Sequence, residues 1–556
     1  MVARASWERE GLTFLPLGGA GEIGMNLNLY GYEGQWLMVD LGISFADDTL
    51  PGIDLITPDP AFIAERRDDL LGLVITHAHE DHLGAVPYLW RQLECPVYAT
   101  PFAAAVLRRK LAEVDLLEEV DLHEVPLGGH LELGPFALDF ISLTHSIPEP
   151  NALAIRTPEG VVLHTGDWKI DPDPMVGEVT DEAALRRLGD EGVLALVCDS
   201  TNVFNPGESG SEAMVYRHLK EIVAAREGRV AITTFASNVA RLQSVARVAA
   251  ETGRHLVLVG RSLHRIRAAA EETGYLTDLP PILAEDEGGW LPRDKVLYLC
   301  TGCQGEPRGA MARIAGGGHR HVVLEEGDSV IFSSKIIPGN EMGIARLHNQ
   351  LAEAGVEVVT EKDAPVHVSG HPCRDELAMM YQWARPKIAV PVHGEVRHLR
   401  AHARLAREFQ VPHARAAENG QALRLSADGV AVVGEVQSGR MIIDGGAVVP
   451  IEDEGVRIRR RMMFNGAASV TLVLDAKGHL LAEPAVVLQG IADPAHAGGL
   501  EVKVRMALRK ALGELKPPAL KDDGRLEDTV RIAVRRVVKA FNGRRPEVAP
   551  QIVRVA

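Results

Sequence analysis

The chain has 556 residues, of which 46% are hydrophobic and 24% charged, and this composition excludes a disordered or fibrous protein. Its length predicts three or four domains, and its five cysteines are too few and odd in number for a disulfide framework. The formal net charge of −17 disfavours a nucleic-acid partner overall. From residue 501 onward, however, Lys and Arg outnumber Asp and Glu by fourteen to seven, which fits either a solvated helix face or RNA contact.

The N-terminus carries Arg4, Glu8 and Arg9 and lacks the apolar run of a signal peptide. No later apolar stretch approaches the roughly 18 residues that would span a bilayer. The sequence therefore predicts a cytoplasmic protein with no membrane partner.

Short apolar runs alternate with Gly, Asp and His turns over the first 200 residues. Strands closed by polar turns, with few helices between them, indicate an α/β layered sandwich. The predicted strands cover residues 12–17, 27–30, 36–39, 72–76, 161–165 and 194–198, and a predicted helix covers 101–114.

Longer helices and strands alternate from residue 206 to 361, which predicts a parallel sheet in its own domain. The domain is predicted to be an insertion because the earlier pattern returns at 365–393. A third pattern begins near residue 449, with predicted strands at 468–474 and 485–488 and amphipathic helices at 502–512 and 526–541. We therefore predict a first domain in two parts, 1–205 and 362–448, an inserted domain at 206–361, and a small α/β domain at 449–556.

An apolar strand at residues 71–76 is followed at once by His77, His79, Asp81 and His82. Imidazole nitrogen and carboxylate oxygen are ligands that Zn²⁺ takes, and four such residues in a tight turn cannot all reach one tetrahedral ion. The pattern predicts two adjacent ions, the first bound by the first two of these residues and the second by the last two.

Isolated polar residues after other apolar runs supply the remaining ligands. A carboxylate such as Asp167 can bridge both ions. We predict one ion bound by His77, His79, His145 and Asp167, and the other bound by Asp81, His82, His393 and Asp167. Asp40, which follows the strand at 36–39, is predicted to orient an imidazole from behind; a simple turn residue is the alternative.

These residues resemble the motifs of the metallo-β-lactamase superfamily: Asp40 the first, the block at 77–82 the second, His145 the third and Asp167 the fourth. The sequences Val-Cys-Asp199-Ser-Thr-Asn, His-Val-Ser-Gly-His371 and Pro-Val-His393-Gly-Glu resemble the further motifs of its β-CASP nuclease branch. Segments at 18–26, 235–238, 301–306 and 337–341 are similar to the ribonuclease J family.

The resemblance implies an αββα metallo-β-lactamase sandwich with an inserted β-CASP parallel-sheet domain and a small C-terminal α/β domain. It implies a ribonuclease with two Zn²⁺ per chain, for which Mn²⁺ or Mg²⁺ could substitute. Such an enzyme degrades RNA from 5′ to 3′, prefers 5′-monophosphate ends and also cuts internally, in RNA maturation and mRNA decay. A homodimer or homotetramer, with RNA-degradation proteins as partners, is also implied.

His371 is predicted to protonate the leaving oxygen, and Asp199 is predicted to hold its ring and set its tautomer. Asp81 is counted with them as catalytic. The resemblance implies that the loop at 367–371 binds RNA and a 5′-phosphate, for which Ser and Gly donors are suited. The predicted substrate-binding residues are His367, Val368, Ser369, Gly370, His371, Ser237 and Asn238.

Departures from the family pattern and rival interpretations leave several points open. Cys303 stands where a serine is expected, and Lys335 and Ile336 replace a small or proline-containing pair. The alternatives are a β-CASP nuclease acting on DNA or on RNA 3′ ends, a hydrolase of thioesters or lactams, and a non-catalytic RNA-binding scaffold. The glycines at 18–24 imitate a dinucleotide fingerprint, but a strand follows them, so we predict a tight turn near the metals.

Overall fold

The computed structural model describes residues 4–47 and 49–555, which form two compact units. The first unit comprises Met1–Phe45 and Leu55–Val448, and the second comprises Ala46–Asp54 and Val449–Ala556. Among the described residues, none of the helices combines the length and the apolar character needed to cross a bilayer.

The first 200 residues form mainly strands, as the sequence predicts. The strands are β1 (Leu12–Gly18), β2 (Ala20–Gly21), β3 (Leu27–Tyr32), β4 (Gln35–Val39), β5 (Ser44–Phe45), β6 (Leu55–Pro58), β7 (Leu70–Val74), β8 (Val97–Ala99), β9 (Leu122–Glu124), β10 (His130–Leu133), β11 (Phe136–Ser142), β12 (Asn151–Thr157), β13 (Gly160–His164) and β14 (Val193–Asp199). The helices are α1 (Ala61–Ala64), α2 (Glu80–Leu83), α3 (Val86–Leu93), α4 (Pro101–Ala112) and α5 (Glu182–Glu191), with 3₁₀ turns at Ser6–Arg9 and Arg67–Asp69. The strand predicted at 72–76 lies two residues earlier in the structure, where β7 covers Leu70–Val74.

Strands and helices then alternate in the β-CASP region. The strands are β15 (Val230–Thr233), β16 (His255–Val259), β17 (Ile282–Leu283), β18 (Val296–Cys300), β19 (Ser329–Phe332) and β20 (Glu357–Val359). The helices are α6 (Glu212–Ala224), α7 (Val239–Glu251), α8 (Arg261–Glu272), α9 (Ala310–Ala315) and α10 (Glu341–Glu353), with 3₁₀ turns at Gly288–Trp290 and Arg293–Lys295. The six strands pair in parallel in the order β17-β16-β18-β15-β19-β20, as the βαβ pattern predicts.

The chain next returns to the first two sheets. The elements are α11 (Arg374–Ala384), β21 (Ile388–Val392), β22 (Gly394–Glu395), α12 (Val396–Glu408), β23 (His413–Ala414), β24 (Gln421–Ser426), β25 (Gly429–Glu435), β26 (Arg440–Asp444) and β27 (Ala447–Pro450). One sheet has the order β25-β24-β1-β3-β4-β7-β8-β9, and the other has the order β10-β11-β12-β13-β14-β21-β23. Buried side chains of both sheets, such as Phe14 and Leu37 from one and Phe140 and Leu153 from the other, form one core between them.

The second unit is a small α/β domain. Its elements are α13 (Glu454–Asn465), β28 (Ala467–Leu474), β29 (Ala485–Gln489), α14 (Pro494–Gly513), α15 (Pro517–Leu520), α16 (Asp523–Asn542) and β30 (Glu547–Arg554). Burial alternates along the central strand β28, whose inner face packs with α14 and α16. The helix predicted to begin at residue 502 begins instead at Pro494, because the Asp493 side chain accepts a hydrogen bond from the His496 amide and caps a longer helix.

Parallel pairing brings the polar strand ends of the first unit together. In one sheet β4 pairs in parallel with β7, and in the other β14 lies between β13 and β21, parallel to both. The chain leaves β14 at Asp199 and returns to the neighbouring strand β21 only after the β-CASP region. Carboxyl ends of parallel strands meet at one edge of a sheet, so the residues after these strands lie close together.

Candidate metal centre and catalytic residues

Among the described residues, three groups of potential ligand side chains lie at this edge: two of them share one carboxylate, and the third consists of Asp199, His371 and His393. The first group is His77, His79, His145 and Asp167, and the second is Asp81, His82, Asp167 and His393; within each group the ligand atoms lie within 4.8 Å of one another. All seven residues that the sequence analysis predicted as ligands are thus brought together, in the predicted division.

In the first group, His79 Nδ1 lies 3.1 Å from His77 Nε2 and 3.0 Å from His145 Nε2. Two Zn–N bonds of tetrahedral geometry separate their nitrogens by about 3.3 Å. Asp167 Oδ2 lies 4.0 Å from the same two Nε2 atoms. The group therefore has the donor types and close approach of a zinc site, with His79 facing its centre through Nδ1.

In the second group, Asp167 Oδ2 lies 3.2 Å from His82 Nε2 and 3.6 Å from His393 Nε2. Asp81 Oδ2 lies 3.6 and 3.8 Å from the same two nitrogens. Asp81 is 30% exposed, whereas the side chains of the other three are at most 3% exposed, so the Asp81 carboxylate marks the open side of the group.

Buried polar atoms without partners support a metal at this place. Asp167 Oδ1 and His393 Nε2 are buried and have no hydrogen-bond partner among the described atoms. Leaving such groups unpaired in the interior costs about 1–3 kcal/mol each, or more when one is charged. A cation bound between the two groups would compensate this cost.

The other nitrogen of each ring is held so that a lone pair faces the centre. His82 Nδ1 lies 2.7 Å from Asp40 Oδ2, and His145 Nδ1 lies 2.5 Å from the Gly370 carbonyl oxygen. His393 Nδ1 lies 3.1 Å from Asn26 Oδ1. Donation from Nδ1–H to these acceptors fixes the tautomer in which Nε2 is free to bind a metal.

Asp40 lies behind the ligands, where the sequence analysis expected it. Its carboxylate accepts hydrogen bonds from the Thr76 amide and the Thr76 hydroxyl as well as from His82. Thr76 Oγ1 also lies 3.0 Å from His77 Nδ1. Through this contact one buried carboxylate orients two imidazoles that belong to different groups.

Burial and charge set the protonation of the ligands. Burial lowers the pKa of His79 to about 4 and the pKa values of His77 and His145 well below the usual range. Burial alone would raise the pKa of Asp167, but the imidazoles of His393 and His82 hold it well below the usual range. Neutral imidazoles and an ionised carboxylate are the forms that bind metals. Burial would lower the pKa of His82, but Asp167, Asp40 and Asp81 raise it well above the usual range, so His82 would have to release its proton to a bound ion.

The glycine-rich turn at 18–24 lies against the centre. The His393 amide donates a hydrogen bond to the Gly19 carbonyl, and β2 pairs in parallel with β22, directly after His393. His393 and Asp40 both have positive φ angles, of 50° and 64°. Such backbone costs about 1–3 kcal/mol in residues other than glycine and is found where function fixes a side chain.

Asn26 ends the same turn, and the sequence analysis did not assign it a role. Besides holding His393, its Nδ2 donates to the Asp81 carbonyl oxygen at 3.0 Å. It is 2% exposed. Its position at the end of a glycine-rich turn, immediately before an apolar segment, is the sequence signal that could have indicated it.

Asp199 and His371 form an ion pair beside the two groups. His371 Nδ1 lies 2.7 Å from Asp199 Oδ2 and 3.8 Å from Asp167 Oδ2. Burial lowers the pKa of His371, but Asp199 and Asp167 outweigh it and raise this pKa to about 9. The ring is 22% exposed, so its second nitrogen can reach a substrate.

The loop at 367–371 is fixed by a residue that the sequence analysis left unassigned. Asn202 Nδ2 donates to Ser369 Oγ at 2.7 Å and to the His371 carbonyl at 3.0 Å. Ser369 Oγ also accepts from the His371 amide. Because this oxygen accepts two hydrogen bonds, its own O–H is left to donate to a ligand.

The other predicted substrate-binding residues are placed differently. His367 lies among Arg241, Lys335 and Lys169, and burial and these cations lower its pKa to about 3; its Nδ1 has no partner among the described atoms. The Val368 side chain belongs to the hydrophobic core. The Asn238 side chain caps α7 by accepting from the Arg241 amide, and no described contact joins it or Ser237 to the ligand groups.

The fold and the site define the class of protein. A sandwich of two mixed sheets with His and Asp clusters at one edge is a metallohydrolase architecture, and a model of the metallo-β-lactamase superfamily matches residues 25–189. A model described as Zn-dependent metallo-hydrolase RNA specificity domain matches residues 355–415. The inserted and C-terminal regions match the ribonuclease J β-CASP domain over 227–351 and the ribonuclease J C-terminal domain over 455–555.

The full length of the chain is similar to curated relatives. It is 46% identical to ribonuclease J of Sinorhizobium meliloti over 98% of each chain, and 38% identical to ribonuclease J of Mycolicibacterium smegmatis, again over 98% of each. The chain therefore belongs to the ribonuclease J family and is a ribonuclease, as its motifs predicted.

One solved structure shares the fold at low sequence identity. A protein of unknown function from Enterococcus faecalis V583 matches with a TM-score of 0.50 and 18% identity, over 74% of this chain and 99% of that one. This likeness concerns the fold alone.

Proposed function

We propose that the chain is a two-zinc ribonuclease that degrades RNA from its 5′ end, prefers a 5′-monophosphate and also cuts internally. The observation that carries the proposal is the Asp199–His371 pair, which lies beside two ligand groups joined by Asp167. A thioester hydrolase releases a thiolate, which departs without a proton, so it has no need of an acid beside its metals. A substrate with a leaving group that must be protonated does need one.

Each group of residues at the site has a separate role in the proposed phosphodiester hydrolysis. Two bound zinc ions would supply a hydroxide nucleophile at neutral pH and a charge partner for a phosphate oxygen. His371 is placed to give a proton to the leaving 3′-oxygen, and Asp199 holds its ring and tautomer. Asp81, the exposed carboxylate of the second group, faces the side from which the substrate arrives.

A 5′-phosphate pocket is proposed next to this pair. It contains the Ser369 hydroxyl, whose O–H remains available as a donor, and the neutral His367 ring beside the exposed Lys335. A terminal monophosphate finds donors and positive charge here. A triphosphate would have to place two additional phosphate groups against the side chains that line this pocket.

Product lengths test the proposed activity. The zinc-loaded protein is incubated with 5′-monophosphorylated RNA, 5′-triphosphorylated RNA and DNA of one sequence. We expect mononucleotides from the monophosphorylated RNA and slower loss of the triphosphorylated one. Cleavage of the DNA at an equal rate, or products released from the 3′ end, would favour another β-CASP nuclease activity.

Metal content is expected to approach two zinc ions per chain, because the two groups offer seven ligands with one bridging carboxylate. Elemental analysis of the purified protein measures it. Removal of the metal with a chelator should abolish cleavage, and zinc should restore it. Full activity without any transition metal would reject the two-metal assignment.

Ser369→Ala should reduce the preference for a monophosphate by about tenfold, the value of one hydrogen bond to a charged group. The ratio of kcat/KM for monophosphorylated and triphosphorylated RNA measures this preference. Ser6→Ala, in the exposed first 3₁₀ turn, serves as the matched control and should leave the ratio unchanged. If the two variants behave alike, Ser369 does not contact the terminal phosphate.

The remaining parts of the proposal concern the domain boundaries, the cellular location and the oligomeric state. We propose the domain boundaries 1–205, 206–361, 362–448 and 449–556, a cytoplasmic location, and assembly into a dimer or tetramer. Light scattering on the purified protein measures the assembly directly.

A further inference from the structure

Helix α12 begins directly after β22, and β22 begins one residue after the ligand His393. It carries Arg400, Arg404 and Arg407 on one exposed side, because residues spaced by three or four positions lie on the same face of a helix. At about 1.5 Å per residue these three side chains span roughly 10 Å of the helix axis. We call them, together with Arg415 across a groove from them, the α12 arginine row.

The groove between these arginines has a volume of about 530 Å³ and is also lined by His413. Within residues 4–47 and 49–555, no acidic side chain lies within ion-pair distance of any arginine of the row. Arg407 donates to the Ala414 carbonyl, whereas the guanidinium groups of the other three arginines have no described partner. The chain has a net charge of −17, but four such cations around one groove make the electrostatic potential positive there.

The first turn of α12 connects this groove to the catalytic residues. Phe204 is 49% exposed, and its ring contacts His398 at 5.1 Å and lies 6.0 Å below the Arg397 guanidinium. Phe204 follows Asn202, which holds the His371 carbonyl, by two residues. An exposed aromatic face beside arginines is a surface on which an unpaired base stacks.

We propose that the α12 arginine row binds the sugar–phosphate backbone of single-stranded RNA beyond the nucleotides that occupy the catalytic site. The proposal rests on the ribonuclease function proposed above, in which the 5′ end lies at Ser369 and the rest of the strand extends away on its 3′ side. Guanidinium groups suit phosphate oxygens because their donors form a planar fork. Contacts to the phosphates do not distinguish one base from another, so the α12 arginine row should bind RNA without sequence preference.

The triple variant Arg400→Gln, Arg404→Gln, Arg415→Gln tests the proposal in the full-length zinc enzyme. The substrates are unstructured 5′-monophosphorylated RNAs of about 3 and about 30 nucleotides, and kcat/KM is measured at several salt concentrations. We expect kcat/KM for the long RNA to fall about tenfold, and its logarithmic dependence on salt to weaken by about 2, since each phosphate contact on a single strand contributes about 0.7. The short RNA places only about two nucleotides beyond the 5′ pocket, so its kcat/KM should fall much less than that of the long RNA.

A matched control removes the same charge elsewhere. Arg187, Arg217 and Arg346 are exposed on α5, α6 and α10 and have no described ion pair, so their triple replacement by Gln should leave both substrates unaffected. Equal losses in the two triple variants, or equal losses on short and long RNA, would overturn the proposal. Unchanged kinetics on the long RNA would also overturn it and would leave the row to an acidic protein partner. A wild-type enzyme that cleaves neither RNA would instead refute the proposed function.

Discussion

His371→Ala is expected to lower kcat by about 10²–10⁴ while the zinc content stays at its wild-type value. The loss is large because the leaving 3′-oxygen would then depart without its proton donor. The pKa of His371 is raised by Asp199 and Asp167, so its ring is charged before metal binds. Bound cations act in the opposite direction and bring this pKa toward the neutral range, in which a general acid is most effective.

His371→Gln separates proton transfer from positioning. The glutamine side chain can still donate a hydrogen bond to Asp199, but it cannot protonate a leaving group. We expect it to be as inactive as the alanine variant in single-turnover cleavage. Substantial activity in His371→Gln, or loss of a zinc equivalent in either variant, would show that the residue orients the site or binds metal instead.

Gly370→Ala is expected to remove a metal ion and lower kcat/KM by about 100-fold, because the residue touches a ligand. A Cβ atom at this position would lie 2.5 Å from His145 Cε1 and 2.6 Å from His145 Nδ1. The ring would have to move, and its hydrogen bond to the Gly370 carbonyl would be lost. Loss of such a supporting contact alone costs about 10–100-fold in metal affinity or activity.

The matched control is Gly499→Ala, in the C-terminal domain, where an added Cβ would meet no described atom within 4 Å. Elemental analysis and thermal unfolding of both variants distinguish a local defect from general destabilisation. Two retained zinc ions in Gly370→Ala would contradict the assignment of His145 as a ligand held by this loop.

The ligand set could be predicted from the sequence because its residues follow apolar strands. His77, Asp167 and His393 each follow an apolar run, and ligand-type residues in this position predicted that they lie together; the structure places them in two adjacent groups. The division into two groups also follows from local spacing, since neighbouring residues of a turn cannot all face one ion.

The supporting contacts could not be predicted in this way. Asn26 meets His393 across 367 positions, and the Gly370 carbonyl meets His145 across 225. Such pairs depend on how distant loops pack, which no local pattern contains. In the first group His79 faces the centre through Nδ1, whereas His77 and His145 face it through Nε2. This difference depends on ring orientation, which also follows from packing and not from a local pattern.

The segment at 235–238 can be interpreted either as a family motif for substrate binding or as the start of a helix. Asn238 was predicted to bind substrate, but its side chain satisfies the first turn of α7. An Asn directly before an apolar periodic segment is a strong helix-capping signal, and that signal could have been weighed against the motif. The start of α14 at Pro494 was missed because Gly498 and Gly499 disfavour a helix locally, and packing in the C-terminal domain overrides this preference.

The position of the β-CASP region has a consequence for how the enzyme is made. Thr201, two residues after Asp199, donates a hydrogen bond to the His393 carbonyl, yet Thr201 and His393 are 192 positions apart in the chain. At a synthesis rate of about 5–20 residues per second, roughly 10–40 s separate their emergence from the ribosome. During this interval a growing chain holds the residues of the first candidate group, lacks His393 throughout and lacks His371 for most of the time. A nascent chain is therefore unable to cut the messenger that encodes it until the ribosome has passed the entire inserted domain.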